Sequence, residues 1–125
     1  MEINEISGEI VDAALKVHSK LGPGLLENAY HKCLMHELYS RGLKFTSQTS
    51  LPIEYDGFKL DAGYRIDLIV EDLVIIEIKA VEAILPIHEA QLLTYLKLSG
   101  KKLGLLINFN SIRLKHGIKR LVNNL

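Results

Sequence analysis

Ile6, Ile10, Ala13, Ala14 and Val17 recur at the spacing of one helical face, which predicts a helix from about Asn4 to Lys20. Gly22-Pro23-Gly24 ends it, because a proline between two glycines cannot continue a helix. A second helix is predicted from about Leu26 to Arg41, with Tyr30, Leu34 and Leu38 on one side and Gly42 as its stop. The period then changes. Leu51, Ile53 and Tyr55 alternate up to Asp56-Gly57, a strand followed by a turn. Tyr64–Val70 and Leu73–Ala80 are rich in β-branched residues and read as a hairpin around Glu71-Asp72. Pro86 opens a third helix through Leu98, which Ser99-Gly100 closes, and Leu103–Asn108 is a buried strand. Ile112–Val122 fits a short strand or a helix.

The hairpin allows its register to be worked out. Directly opposed residues of an antiparallel pair share a face, so their numbers sum to a constant. Pairing Ile66 with Ile78, Leu68 with Ile76 and Val70 with Val74 puts both apolar rows on one buried face. A slip of one residue would separate the rows. The same register opposes Asp67 to Glu77 and Arg65 to Lys79 on the other face, and it needs a three-residue loop, Glu71 to Leu73. Hydrophobic patterning alone thus gathers Asp67, Glu77 and Lys79.

Two carboxylates opposed in this way suit Mg²⁺ or Mn²⁺, hard ions that take oxygen ligands. The carbonyl of Ile78 is a further candidate ligand. A lysine beside them can stabilise charge on an attacking hydroxide and on phosphoryl oxygens. The alternative is a surface salt bridge on a solvated sheet face, worth only about 0–1 kcal/mol. The apolar run Leu73-Val74-Ile75-Ile76 around the charges favours the metal, since charge under a covering layer is costly unless paired or metal-bound. On the third helix His88, Gln91 and Tyr95 form one stripe, placed to hold a phosphate, a base edge or a water; a solvated helix face is the plainer account. No second histidine or cysteine stands at zinc-ligand spacing, and there is no phosphate-binding glycine loop or nucleophile elbow.

Composition changes this picture little. A length of 125 residues, 48% hydrophobic and 24% charged, is that of one globular domain, residues 1–125. The single cysteine, Cys33, permits no internal disulfide and reads as a packed thiol, which fits a reducing cytoplasm. No run is long and apolar enough to span a membrane, and no membrane partner is expected. The net charge of zero hides an asymmetry. All 15 acids and 8 of the 15 bases precede residue 90, and the other 7 bases follow it. An acidic cation pocket beside a basic phosphate platform has this distribution, and so does solvated charge that fell unevenly.

Gly24-Leu25-Leu26-Glu27-Asn28-Ala29-Tyr30 resembles, letter for letter, the signature of the GxxExxY family, a branch of the PD-(D/E)XK nuclease superfamily. The resemblance extends over Tyr64-Arg65-Ile66-Asp67, Glu77-Ile78-Lys79 and Gln91-Leu92-Leu93-Thr94-Tyr95, the last similar to the Gln-x-x-x-Tyr motif of RecB-like exonucleases. It implies an α/β, restriction-endonuclease-like core: a central mixed β-sheet flanked by helices in the order α-β-β-β-α-β. It also implies that Glu27 joins Asp67 and Glu77 around the metal; on its own Glu27 is an ordinary first-turn helix acid. Ile66 departs from the pattern, standing where the superfamily name has proline. The function expected is metal-dependent hydrolysis of DNA or RNA by Asp67, Glu77 and Lys79, with Gln91, Tyr95 and His88 binding substrate. A catalytically silent module that binds nucleic acid or a protein partner is the alternative, and a homodimer is left open.

Overall fold

The computed structural model describes residues 1–125. Its elements are α1 (Ile3–Leu21), α2 (Glu27–Ser40), β1 (Phe45–Ser50), β2 (Ile53–Tyr55), β3 (Phe58–Leu60), β4 (Arg65–Val70), β5 (Val74–Lys79), α3 (Pro86–Ser99), β6 (Leu103–Asn108) and β7 (Ile118–Val122). A short 3₁₀ helix, Leu114–Gly117, precedes β7. The ambiguous segment is therefore a 3₁₀ turn followed by a strand.

Five strands form one sheet in the order β1-β4-β5-β6-β7, in which only β5 and β6 run parallel. A parallel pair needs a long crossover, and α3 supplies it. Helices α1 and α2 bury Ile6, Ile10, Ala14, Tyr30, Leu34 and Leu38 against one face of the sheet. Helix α3 buries Leu92, Tyr95 and Leu96 against the other. The result is the expected central mixed sheet flanked by helices, with α2, the β2–β3 hairpin and β7 added to the α-β-β-β-α-β order. Gly104 permits the close seating of α3: a Cβ on it would stand 2.9 Å from Leu92 Cδ1. Asp56 and Gly57, at φ 53° and 80°, make the tight turn that joins β2 to β3.

The expected hairpin register holds over Leu68–Ile76, Ile69–Ile75 and Val70–Val74, and Glu71–Leu73 form the loop. It fails beyond that point. Leu68, Val70, Val74, Ile76 and Ile78 share the α1/α2 face, but Ile66 packs with Leu92 and Tyr95 on the α3 face. Ile66 therefore does not oppose Ile78, and Arg65 turns to Ser50 and Asp61 instead of opposing Lys79. The alternation of β4 breaks at Asp67. On the neighbouring strand Gln48 takes φ 53°, and Gln48–Asp67 drops out of a ladder that continues on both sides. Irregularity in two adjacent strands at one level, with a non-glycine residue at positive φ, is commonly found where a site is built.

Candidate active site

Where the backbone ladder stops, side chains replace its rungs. The Asp67 N–H donates to Glu77 Oε2 at 2.9 Å, and the Ile78 N–H donates to Asp67 Oδ2 at 2.8 Å. These crossed bonds satisfy two amides that the break in β4 would otherwise leave open, and they hold the two carboxylates together. Glu77 is only 5% exposed. Burial, then the neighbouring Asp67 charge, pushes its carboxyl up to about 8. Lys79 and the Asp67 N–H act in the opposite direction without cancelling the rise.

Lys79 belongs to this neighbourhood, since its charge lowers the carboxyls of both Glu77 and Glu27. It makes no ion pair: all six in the molecule lie elsewhere. The surface salt bridge raised by the sequence is therefore absent. The course of the chain after Lys79 is held by Asn108, a buried residue that sequence reasoning missed. Asn108 Oδ1 accepts from the Val81 N–H at 3.0 Å, and its Nδ2 donates to the Val81 carbonyl at 2.9 Å. The Phe109 N–H donates to the Lys79 carbonyl at 2.9 Å. A buried polar residue at the end of an apolar strand is the signal that marked it.

Glu27 is the first residue of α2, and its carboxyl is raised by burial, then by the Asp67 charge. Tyr30 anchors the turn that leads into it. The Tyr30 hydroxyl donates to the Gly22 carbonyl at 2.6 Å and accepts from the Leu25 N–H at 3.0 Å. Its fully buried ring stacks on Phe109 with centroids 4.7 Å apart. Tyr30→Phe keeps the stack but leaves a carbonyl and an amide unpartnered, a cost of about 1–3 kcal/mol. The urea midpoint is expected to fall accordingly; an unchanged midpoint would show that water replaces the hydroxyl at no cost.

Whether these residues suit a divalent cation is a question of donors and charge. Every candidate ligand is an oxygen, as hard cations require. Two carboxylates held together, one pushed up to about 8, would both be favoured in ionised form by a bound positive charge. The donor set fits. The arrangement is not a closed cage, since no three His, Cys, Asp or Glu side chains converge closely enough to hold an ion.

Of the α3 stripe, Tyr95 reaches furthest inward. It is 6% exposed, packs in one cluster with Ile66, and meets the Tyr64 ring edge-on at 6.2 Å and 67°. Burial, then the Glu77 charge, raises its hydroxyl. His88 Nδ1 accepts the Leu85 N–H at 3.0 Å and so caps the helix, leaving Nε2 for anything else. Gln91, His88 and Tyr95 all line one cleft of about 390 Å³. The C-terminal bases are not gathered in this way. Lys101 pairs with Asp72, Arg120 reaches Asn4, and Lys119 and Arg120 lie exposed on β7, where charge also protects a sheet edge.

No helix is long and apolar enough to cross a membrane. The family model described as the PD-(D/E)XK nuclease superfamily matches residues 4–121. No curated protein and no solved structure matches the chain.

Proposed function

The chain belongs to the PD-(D/E)XK nuclease superfamily, and on that premise we propose that it is a Mg²⁺- or Mn²⁺-dependent phosphodiesterase of the GxxExxY branch, acting on DNA or RNA as a single domain. The observation that carries this reading is the crossed pair Asp67–Glu77, a buried carboxylate held against a second one with an unpaired lysine nearby. Asp67 and Glu77 would hold the ion, with the Ile78 carbonyl and Glu27 as further ligands. Once bound, the ion supplies a Lewis acid for the phosphate and lowers the pKa of water. Lys79 donates to the phosphoryl oxygens as charge builds there, an interaction strongest in the transition state. Gln91, Tyr95 and His88 Nε2 orient the strand, and the Asp67–Ile78 bond keeps one carboxylate fixed while the reaction proceeds.

The test is cleavage of single- and double-stranded DNA and RNA with Mg²⁺, Mn²⁺ or EDTA. Cleavage that EDTA abolishes and Asp67→Asn removes is the expected result; cleavage indifferent to both would refute the site. Binding is expected to weaken with salt, with log K against log salt sloping about −2 to −4.5, as roughly three to five phosphate contacts give. A flat dependence would make the C-terminal bases ordinary surface. One observation favours a silent nucleic-acid-binding module instead, namely that Glu27, Asp67 and Glu77 do not form a closed cage. That reading predicts the same salt slope without cleavage under any metal.

A further inference from the structure

The cleft beside α3 differs in chemistry from the carboxylate site it adjoins. Its walls are Leu51, Tyr64 and Ile87, with Tyr95 at the inner end and Gln91, Thr94 and His88 as its polar groups, and no carboxylate, lysine or arginine lines it. A phosphate would find no lysine or arginine there to balance its charge. A flat aromatic ring with polar edges would find an apolar wall, two tyrosine rings, an amide that both donates and accepts, and a free imidazole nitrogen. The volume of about 390 Å³ lies within the range of small-molecule sites, roughly 300–1,000 Å³.

Two of these residues are not committed to the core. Tyr64 is 43% exposed and Ile87 is 68% exposed, although both are large and apolar. Tyr64 precedes Asp67 by three residues, about 10 Å along an extended chain. Tyr95 packs in the same cluster as Ile66, the residue next to Asp67. The cleft and the carboxylates are therefore neighbours at the start of β4, close enough for the Glu77 and Asp67 charges to act on Tyr95.

We propose that this cleft is a nucleobase pocket, in which an unpaired base packs against Tyr64 and Tyr95 while an adjacent phosphate lies at Asp67 and Glu77. This rests on the nuclease reading above and sets its substrate class: single-stranded nucleic acid, or duplex that is frayed or opened locally. Bases within an intact duplex are covered on both faces by their neighbours and reach a pocket only after costly extrusion. Gln91 and His88 Nε2 meet the base edge.

The experiment measures binding by fluorescence anisotropy, in Ca²⁺ and in EDTA. The probes are a labelled oligothymidylate, an oligouridylate, an abasic strand of equal length and a matched duplex. The two base-bearing single strands are expected to bind at least about tenfold more tightly than the abasic strand and the duplex. Their ratio reports the 2′-hydroxyl and the thymine methyl together. Tyr64→Ala is expected to lose about fivefold to a hundredfold in single-strand affinity, the range for removing one stacking ring, while Tyr64→Phe binds as wild type. Ile87→Asp places a charge in the cleft on an exposed first-turn position that tolerates acids, and it is expected to show the same loss with an unchanged melting temperature. Equal affinity for abasic and base-bearing strands, or full affinity in both Tyr64→Ala and Ile87→Asp, would overturn the pocket. Cleavage without base dependence would remove the pocket and leave the nuclease reading intact. Base-dependent binding without cleavage would do the reverse.

Discussion

Replacing Glu77 by Gln is expected to stabilise the metal-free protein at pH above 8 and to abolish most of its response to Mn²⁺. The folded-state carboxyl lies near 8 against an ordinary value of 4.5. Between those values the folded state binds more protons than the unfolded state, so stability falls as pH rises. The full penalty is reached above pH 8 and is absent below about 4.5. At about 1.4 kcal/mol per pKa unit it is a few kcal/mol, and at most roughly 5. Glutamine keeps an oxygen to accept the Asp67 N–H and carries no charge, so the penalty disappears. Melting temperatures near pH 9 are expected to rise by at least roughly 5 °C in Glu77→Gln. On the proposed reading Mn²⁺ is expected to remove the same penalty in wild type by binding the ionised pair, adding roughly 2.7 kcal/mol at a hundredfold excess over Kd. A wild-type melting temperature that is flat from pH 5 to pH 9 and unmoved by Mn²⁺ would sink both the electrostatic account and the metal site.

Lys79→Ala is expected to reduce cleavage by about a hundredfold to a thousandfold, the scale for removing one transition-state donor. Most of any Mn²⁺-induced stabilisation is expected to persist, because an ammonium group has no lone pair to give a metal. The loss is expected in kcat more than in KM, since the interaction strengthens as charge develops. Steady-state kinetics beside thermal shifts separate the two roles. If Lys79→Ala cleaves normally, or loses the Mn²⁺ shift together with activity, lysine does not act as the phosphoryl donor.

How far the sequence revealed these features depended on how much of each element's environment was local. β6 is apolar up to its last residue, Asn108, and buried on both faces, so Leu103–Asn108 was legible from composition alone. The β4–β5 pair was legible because its partners are close in sequence and share one alternating pattern. β1 was not recognised. Its sequence, Phe-Thr-Ser-Gln-Thr-Ser, is largely polar, and an edge strand half exposed along its length shows little hydrophobic period. What makes it a strand is its partner β4, fifteen residues after its end. The break at Asp67 was equally hidden, because Ile66 obeys the alternation in sequence and departs from it only where Leu92 and Tyr95 offer a second layer. The crossed hydrogen bonds of Asp67 and Glu77 then bring together, through side chains, what regular pairing was expected to bring through the backbone.

The Tyr30–Phe109 stack joins the start of α2 to the end of β6, positions 79 residues apart. Contacts so distant in sequence form late, after the loop between them has been closed. The parallel β5–β6 pair delays them further, because α3 must cross over before β6 can dock. Helices α1 and α2 can collapse early through local contacts, yet the Tyr30 ring that anchors the turn before Glu27 gains its stacking partner only when Phe109 docks. A chain stalled in folding, or cut in the segment between α3 and β6, would thus carry the acidic residues without their common geometry. The candidate site is tied to completion of the sheet, and recovery of any cleavage activity is expected to trail refolding of helix content.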